Sequence, residues 1–268
     1  MRKRLGNSLK IAFSMYSRIP MPRSQWTEES MAYAMCFFPW IGGVIGALTW
    51  GIFSLKEMLY SRGIHFGELF FTVLLVLTPI LVTGGIHLDG FLDTQDALRS
   101  YQPQKRRLQI LKDPHAGAFS VIACGVYLLA YVGVYSSLTL KSVRVISLTF
   151  MLSRTLSALS VICFPQAREE GMVATFSRNT ANKATKFVLS FYLAALCIGI
   201  LYVGKVSGIA ALTAAGLMFL YYYRMSLKKF GGITGDLAGY FLQMCELFMA
   251  AAIVTVDILS DVRWLSPL

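Results

Sequence analysis

Three aspartates occupy one short stretch of an otherwise apolar chain. Residues 84–100 read GGIHLDGFLDTQDALRS, in which Asp89, Asp93 and Asp96 follow one another at intervals of four and three residues. On an α-helix these three positions lie on one face. Like charges four residues apart destabilise an isolated helix by about 0.2–0.5 kcal/mol per pair. The spacing therefore favours a bound cation at this face.

The ligand types indicate which cation this is. Carboxylate oxygens without cysteine suit Mg²⁺, with Mn²⁺ as the second candidate, and Mg²⁺ completes its coordination shell with water and substrate phosphates. We therefore expect Asp89, Asp93 and Asp96 to be catalytic residues that hold Mg²⁺. The alternative is a solvated acidic helix beside a membrane, whose charge is balanced by the nearby basic residues Arg99, Lys105, Arg106 and Arg107.

A second polar stretch, LKDPHAGAFS at residues 111–120, precedes an apolar segment. Its Asp-Pro step favours an extended or turn backbone, and the N–H groups at the start of a following helix would point at an anion. We expect Asp113 to act as a further ligand or general base, and Lys112 and His115 to bind substrate phosphate. A purely structural hydrogen bond is the alternative for His115.

A third polar stretch, FGGITGDLAGYFLQMCE, spans residues 230–246. Asp236 is either a further metal ligand or general base, or the N-cap of the last helix. Glu246 lies inside an apolar segment, where a carboxylate costs about 2.5–3.5 kcal/mol on insertion scales, so it requires a partner or a function. Arg154, in another apolar segment, is the candidate partner, in a structural ion pair or an ion pathway.

Three more side chains are candidates for binding substrate. His87, two residues before Asp89, would orient that carboxylate or a substrate phosphate. Arg18 is presented by the proline-stiffened segment SRIPMP and would reach a phosphate. Arg168 lies in the segment PQAREEGMVATFS at residues 165–177, which is either a substrate lid or an ordinary solvated loop.

The elements that position these residues are apolar. The 268 residues are 56% hydrophobic and 15% charged, and the mean hydropathy is +0.58. Crossing a bilayer takes roughly 20 mostly apolar residues. This composition predicts an all-α, polytopic integral membrane bundle of about seven transmembrane helices, forming a single catalytic domain over 1–268. Residues 1–30 form an N-terminal interfacial segment, and 87–116 form an acidic motif loop. The predicted spans are 31–55, 68–86, 117–138, 143–164, 186–204, 206–223 and 239–260.

Charge predicts the orientation of the bundle. Lys and Arg concentrate in alternate loops, beginning with the N-terminal one, so the positive-inside rule places the N-terminus and all three acidic motifs in the cytoplasm. The expected location is the bacterial cytoplasmic (inner) membrane. The net charge of +11 favours membrane lipids or phosphorylated substrates as partners, and not nucleic acid, because the basic residues are divided among loops. Each of the five cysteines is isolated in a different span and predicts packing only.

The motifs GGIHLDGFLDTQDA, KDPHAGAF, SRIP and GGITGD resemble, in type and order, the cobalamin synthase family. The resemblance implies a membrane enzyme that joins adenosylcobinamide-GDP to α-ribazole or its 5'-phosphate and releases GMP, using a divalent metal that is usually Mg²⁺. It places Asp89, Asp93 and Asp96 in the family's acidic signature. The chain departs from the family pattern at Ala97 and Ser120, where many members have glycine, which concerns local loop geometry.

Two other classes of protein share part of this pattern. A CDP-alcohol phosphotransferase also uses clustered aspartates and Mg²⁺ at a membrane edge, but its D-G-x-x-A-R signature is absent, because Asp89-Gly90 is followed by FLDT. An ion-coupled transporter would use Glu246 and Arg154, yet transporter sites lie at the midplane between internal repeats, and the sequence shows no repeat. A homo-oligomer is compatible with the sequence.

Overall fold

The computed structural model describes residues 2–168 and 182–265, and within those ranges the chain is α-helical. One isolated parallel bridge between Gln166 and Ile233 is the only β-type pairing there. The all-α prediction is confirmed. In chain order the helices are α1 Arg2–Tyr16, α2 Glu28–Met31, α3 Ala34–Ser61, α4 Glu68–Thr83, α5 Ile86–Arg99, α6 Gln104–Ile110, α7 Ala118–Tyr135, α8 Leu140–Cys163, α9 Asn182–Gly204, α10 Val206–Phe230 and α11 Gly235–Leu265.

The membrane character of the bundle follows from helix length and composition. Helices α3, α7, α8, α9, α10 and α11 each contain a stretch long and apolar enough to cross a bilayer. Helices α4 and α5 qualify only as a pair, and they meet at a bend of 93°. Over residues 2–168 and 182–265 the chain is therefore a polytopic membrane bundle with six candidate spans, or seven if the bent pair is counted as one span.

The bend between α4 and α5 is formed by two glycines. The predicted second span, 68–86, is helical only as far as Thr83, because Gly84 and Gly85 have φ of 66° and 81°. This left-handed backbone ends a helix and is accessible to glycine without steric cost. The helix restarts at Ile86 in a new direction, so most of the predicted loop 87–116 is helix α5 followed by α6.

Helix α8 lies at the centre of the bundle. In its most apolar stretch 72% of residues are buried, against 22% in α9, which faces outward. Helix α3 packs on α8 through Gly42 and Gly46, where an added Cβ would overlap the carbonyl oxygens of Phe150 and Ser147. Small residues at this spacing let two membrane helices approach backbone to backbone.

A buried ion pair joins α8 to α11. Arg154 and Glu246 are 1% and 3% exposed, and Arg154 Nη1 lies 2.5 Å from Glu246 Oε1. Ser153 donates to the same carboxylate oxygen at 2.8 Å, and Arg154 also donates to the Phe150 carbonyl at 3.0 Å. Arg154 is thus confirmed as the partner of Glu246. The pair links two packed helices, as the structural interpretation requires.

The N-terminal segment is partly embedded in the bundle. Helix α1 packs on α3, and its residues Ile11 and Ala12 have no exposed surface. This part of the predicted interfacial segment 1–30 packs against protein, and Tyr16, at the end of α1, lines the cavity of the candidate site.

Candidate active site

The site begins where α5 crosses the start of α11. An added Cβ at Gly90 would lie 2.8 Å from the Asp236 carbonyl oxygen, and one at Gly239 would lie 3.0 Å from the His87 carbonyl oxygen. Only glycine permits backbones to approach this closely. The crossing brings Asp89 and Asp236, which are far apart in sequence, to the wall of one cavity.

A short backbone pairing brings a third segment to the same place. Ile233 N–H donates to the Pro165 carbonyl at 2.8 Å, and Ala167 N–H donates to the Ile233 carbonyl at 3.0 Å. Gly232 permits this contact, because an added Cβ would lie 2.6 Å from the Ala167 nitrogen. The chain following α8 is thereby held against the segment before α11, and Arg168 comes to line the cavity.

Arg168 is the cation of the site. Its guanidinium donates to the Leu108 carbonyl of α6 and lies within electrostatic range of Asp236. A guanidinium presents five N–H donors in a planar fork suited to phosphate oxygens. The hydrogen bond to Leu108 holds the side chain in place beside the cavity.

The cavity has a volume of about 350 Å³ and two unlike ends. Asp89 is exposed and Asp236 and Arg168 are half-buried, so these groups form a charged rim. The buried lining residues, which form the inner end of the cavity, are mostly apolar. They include Met35, Phe38, His87, Ser157, Val161 and Leu242. The volume lies within the usual range of roughly 300–1,000 Å³ for small-molecule sites.

The three aspartates of α5 do share one helix face, yet they have different surroundings. Asp93 is half-buried and lies within electrostatic range of Asp89, Asp236, Asp96 and Asp113. Carboxylates of all three acidic motifs therefore act electrostatically on Asp93, and together they are called the carboxylate cluster. Their mutual repulsion is relieved when a cation binds.

Asp96 has a contact that the sequence analysis missed. Its carboxylate accepts hydrogen bonds from the backbone N–H of Gly117 at 2.6 Å and of Ser120 at 2.9 Å. The N–H groups at the start of α7 thus do point at an anion, but that anion is the Asp96 side chain and not a substrate phosphate. Each carboxylate oxygen has a second lone pair, so Asp96 also fits as a metal ligand.

The loop at residues 111–117 lies beside this cluster. The N–H of His115 donates to Asp113 Oδ1 at 3.0 Å, and the His115 Nδ1 atom lies 2.8 Å from the same oxygen. These hydrogen bonds lower the pKa of the Asp113 carboxyl below its ordinary value. Asp113, His115 and Lys112 are all exposed, so they lie in solvent near the rim of the cavity. His115 makes a local hydrogen bond to Asp113, which is the structural alternative to binding substrate phosphate.

Arg18 lies at the bend between α4 and α5. Its backbone N–H donates to the Val82 carbonyl at 2.8 Å, and its exposed side chain covers Gly84. It is brought near the start of the acidic helix and not into the cavity. Glu169 and Glu170, which follow Arg168 in the proposed lid, lie outside the described residues.

The cavity also contains residues that were not predicted. Tyr16 and Phe38 come from the N-terminal segment and the first span, and Ser157 comes from the central helix. The sequence could have indicated Ser157, because it is a polar residue one turn beyond Arg154 in an apolar segment. No sequence feature marked the two aromatic residues, because aromatic residues in spans ordinarily serve packing.

The donor set is compatible with Mg²⁺. Within residues 2–168 and 182–265, no three His, Cys, Asp or Glu side chains form a preassembled metal site. Mg²⁺ is commonly held by one or two carboxylates together with water and substrate phosphates. Asp89 and Asp236 on the cavity wall, with Asp93 beside them, offer hard oxygen ligands of that kind.

Comparisons with known proteins identify the family. The family model described as Cobalamin-5-phosphate synthase matches residues 8–254. An adenosylcobinamide-GDP ribazoletransferase of Lachnoclostridium phytofermentans is 46% identical over 251 residues, which cover 94% of both chains. Enzymes of the same name from Desulfitobacterium hafniense and Clostridium perfringens are 32% and 30% identical, covering 89% of this chain and 93% and 94% of theirs. No solved structure matches. With Asp89 and Asp236 of two acidic motifs on the wall of one cavity and a family match over most of its length, the chain belongs to the cobalamin-5-phosphate synthase family.

Proposed function

We propose that this membrane protein joins adenosylcobinamide-GDP to α-ribazole or its 5'-phosphate, releasing GMP, in a Mg²⁺-dependent reaction. The observation that carries the proposal is the two-ended cavity. Its charged rim combines residues from the HLDG and GITGD motifs with Arg168, which suits a diphosphate, and its buried end suits an apolar group. The relatives are named adenosylcobinamide-GDP ribazoletransferases, and that name indicates the two substrates.

The reaction is a displacement at phosphorus. The ribose hydroxyl of α-ribazole attacks the corrinoid-proximal phosphorus of the diphosphate, a new P–O bond forms, and the P–O bond to GMP breaks. Positioning and electrostatic stabilisation supply most of the rate in such transfers. Arg168 neutralises diphosphate charge from the rim. Asp236 is the carboxylate best placed to accept the hydroxyl proton, because it lines the cavity while Asp113 does not.

The proposed metal site is formed by the same carboxylates. Asp89 and Asp93 are the proposed ligands, with Asp96 next along the helix face. When bound there, Mg²⁺ supplies Lewis-acid stabilisation of the charge that develops on the leaving phosphate. The carboxylates of the acidic helix repel one another. We expect this helix to orient the diphosphate only when a bound cation balances that repulsion.

The test is GMP release by the purified protein in lipid vesicles. We expect release to require both substrates, to stop after chelation by EDTA and to return with Mg²⁺. Asp89→Asn and Asp93→Asn are expected to lower the rate by about 100-fold or more, the size usual for loss of an electrostatic catalytic group. Undiminished release from both variants, or from the chelated enzyme, would contradict the proposal.

Location and orientation are part of the proposal. The motifs that meet at the rim belong to loops rich in Lys and Arg, which the positive-inside rule assigns to the cytoplasm. The site then faces the cytoplasm from a bacterial inner membrane.

A further inference from the structure

The buried end of the cavity is an aromatic enclosure around one histidine. His87 is 5% exposed. The Tyr16 ring stacks beside it with centroids 6.3 Å apart and planes at 23°, and the Phe38 ring meets it edge-on with centroids 5.8 Å apart and planes at 74°. All three residues line the cavity. They come from α5, α1 and α3, so the enclosure exists only in the folded bundle.

One polar atom in this enclosure is unsatisfied. Across the described part of the chain, nothing forms a hydrogen bond with His87 Nε2, although the atom is buried. Buried polar side-chain atoms in folded proteins are nearly always hydrogen-bonded, and each exception calls for an explanation. A ligand in the cavity that presents a matching nitrogen or oxygen atom would complete the bond.

The surroundings define the chemistry of that ligand. The walls near His87 are aromatic and aliphatic, so they favour a flat apolar group over a phosphate. Arg154, a cation within electrostatic range of His87, is held by Glu246 and the Phe150 carbonyl. An acyl chain would fit the walls but leave Nε2 without a partner. A flat ring carrying a nitrogen atom satisfies both requirements.

We propose that this end of the cavity binds the heteroaromatic base of the ribazole substrate, with a ring nitrogen of the base hydrogen-bonded to His87 Nε2. The inference rests on the proposed function and assigns one of its two substrates to a place. The base lies between Phe38 and the aliphatic wall, and its ribose extends toward Asp236 and Arg168. The bulky corrinoid then approaches from outside the rim, and its diphosphate meets the ribose hydroxyl there.

The experiment measures binding of α-ribazole alone to the full-length protein in nanodiscs, by calorimetry. His87→Ala is expected to raise its Kd roughly tenfold, the effect of losing one hydrogen bond and some packing. His87→Gln is expected to recover part of that loss, because its amide nitrogen reaches the position of Nε2. Phe38→Leu should also weaken binding. Its matched control is Phe37→Leu, at a half-buried neighbouring position of α3, which should bind as the wild type does.

Steady-state kinetics separate this inference from the proposed function. In His87→Ala we expect the KM for α-ribazole to rise by the same factor as its Kd, with the KM for adenosylcobinamide-GDP unchanged within about twofold, since only the nucleoside loses a hydrogen bond. If the wild type releases GMP but the His87 and Phe38 variants bind α-ribazole as tightly as it does, this placement is wrong. If the wild type binds α-ribazole and releases no GMP, the proposed function fails. Melting temperatures identify any variant that is merely misfolded.

Discussion

At the residue scale, equal spacing on a helix does not confer equal roles. Asp89 is exposed at the cavity rim, Asp93 is half-buried within the carboxylate cluster, and Asp96 accepts two backbone hydrogen bonds from the start of α7. The helix period places all three on one face, and the neighbouring helices then distinguish them.

Asp96 is expected to matter for stability as well as for activity. Hydrogen bonds to a charged group contribute about 1.5–3 kcal/mol, and capping substitutions cost about 0.5–2 kcal/mol, so Asp96→Ala should lower the free energy of unfolding by an amount in that range. Asp89→Ala is the control, because its exposed side chain caps no helix. Thermal denaturation in detergent measures both, and equal melting temperatures for the two variants would refute the capping role.

At the element scale, glycines determine which helices meet. Gly42 and Gly46 let α3 approach α8 closely, and Gly90 and Gly239 do the same for α5 and α11. The second crossing is also the base of the site, so packing and function depend on the same residues there. Two turns further along α11, the Arg154–Glu246 pair joins this helix to α8.

Gly90→Ala should disturb the site through packing. Its Cβ would lie 2.8 Å from the Asp236 carbonyl oxygen, so the start of α11 must move away and carry the Asp236 carboxylate with it. A displacement of about 1 Å at a reacting centre can cost on the order of 100-fold in rate. GMP release and the melting temperature are the readouts. Gly125→Ala in α7 is the matched control, since an added Cβ there meets nothing within 4 Å, and it should leave both unchanged or raise the melting temperature slightly.

Glu246 is expected to be structural. Removing one partner of a buried ion pair costs about 3–5 kcal/mol, whereas replacing both with apolar residues is often neutral. Glu246→Leu should therefore lower the melting temperature sharply, and the double variant Glu246→Leu with Arg154→Met should recover much of the loss. If the double variant is less stable than the single one, the two residues do not act as a pair.

At the scale of the whole molecule, one end of the bundle is chemically distinct. Three loops that are distant in sequence meet there, namely the stretch after α4, the stretch after α8 and the stretch before α11. Like the N-terminal segment, these stretches are richer in Lys and Arg than the connections on the other side, so the acidic cluster lies at the basic end of the molecule. That combination suits a site that must hold a metal and an anionic substrate together.

The orientation of this end is open to direct measurement. In a variant whose native cysteines are replaced by serine, Lys112→Cys should react with an impermeant maleimide only in inverted vesicles, because the positive-inside rule assigns the basic loops to the cytoplasm. Ile64→Cys, between α3 and α4, should react only in right-side-out vesicles, and both positions are exposed. The opposite pattern would reverse the predicted topology.

The sequence by itself determined the helical membrane class, the family motifs and the partner of Glu246, because these depend on local periodicity and on the high cost of placing polar groups in lipid. Tertiary structure alone decided that Asp96 caps α7, that Asp89 and Asp236 share a cavity, and that Tyr16 and Phe38 enclose His87. Those contacts depend on how glycines let distant helices cross and on how two left-handed glycines turn α5 by 93°. Spacing along one helix specifies a face, but what that face meets depends on residues far away in the chain.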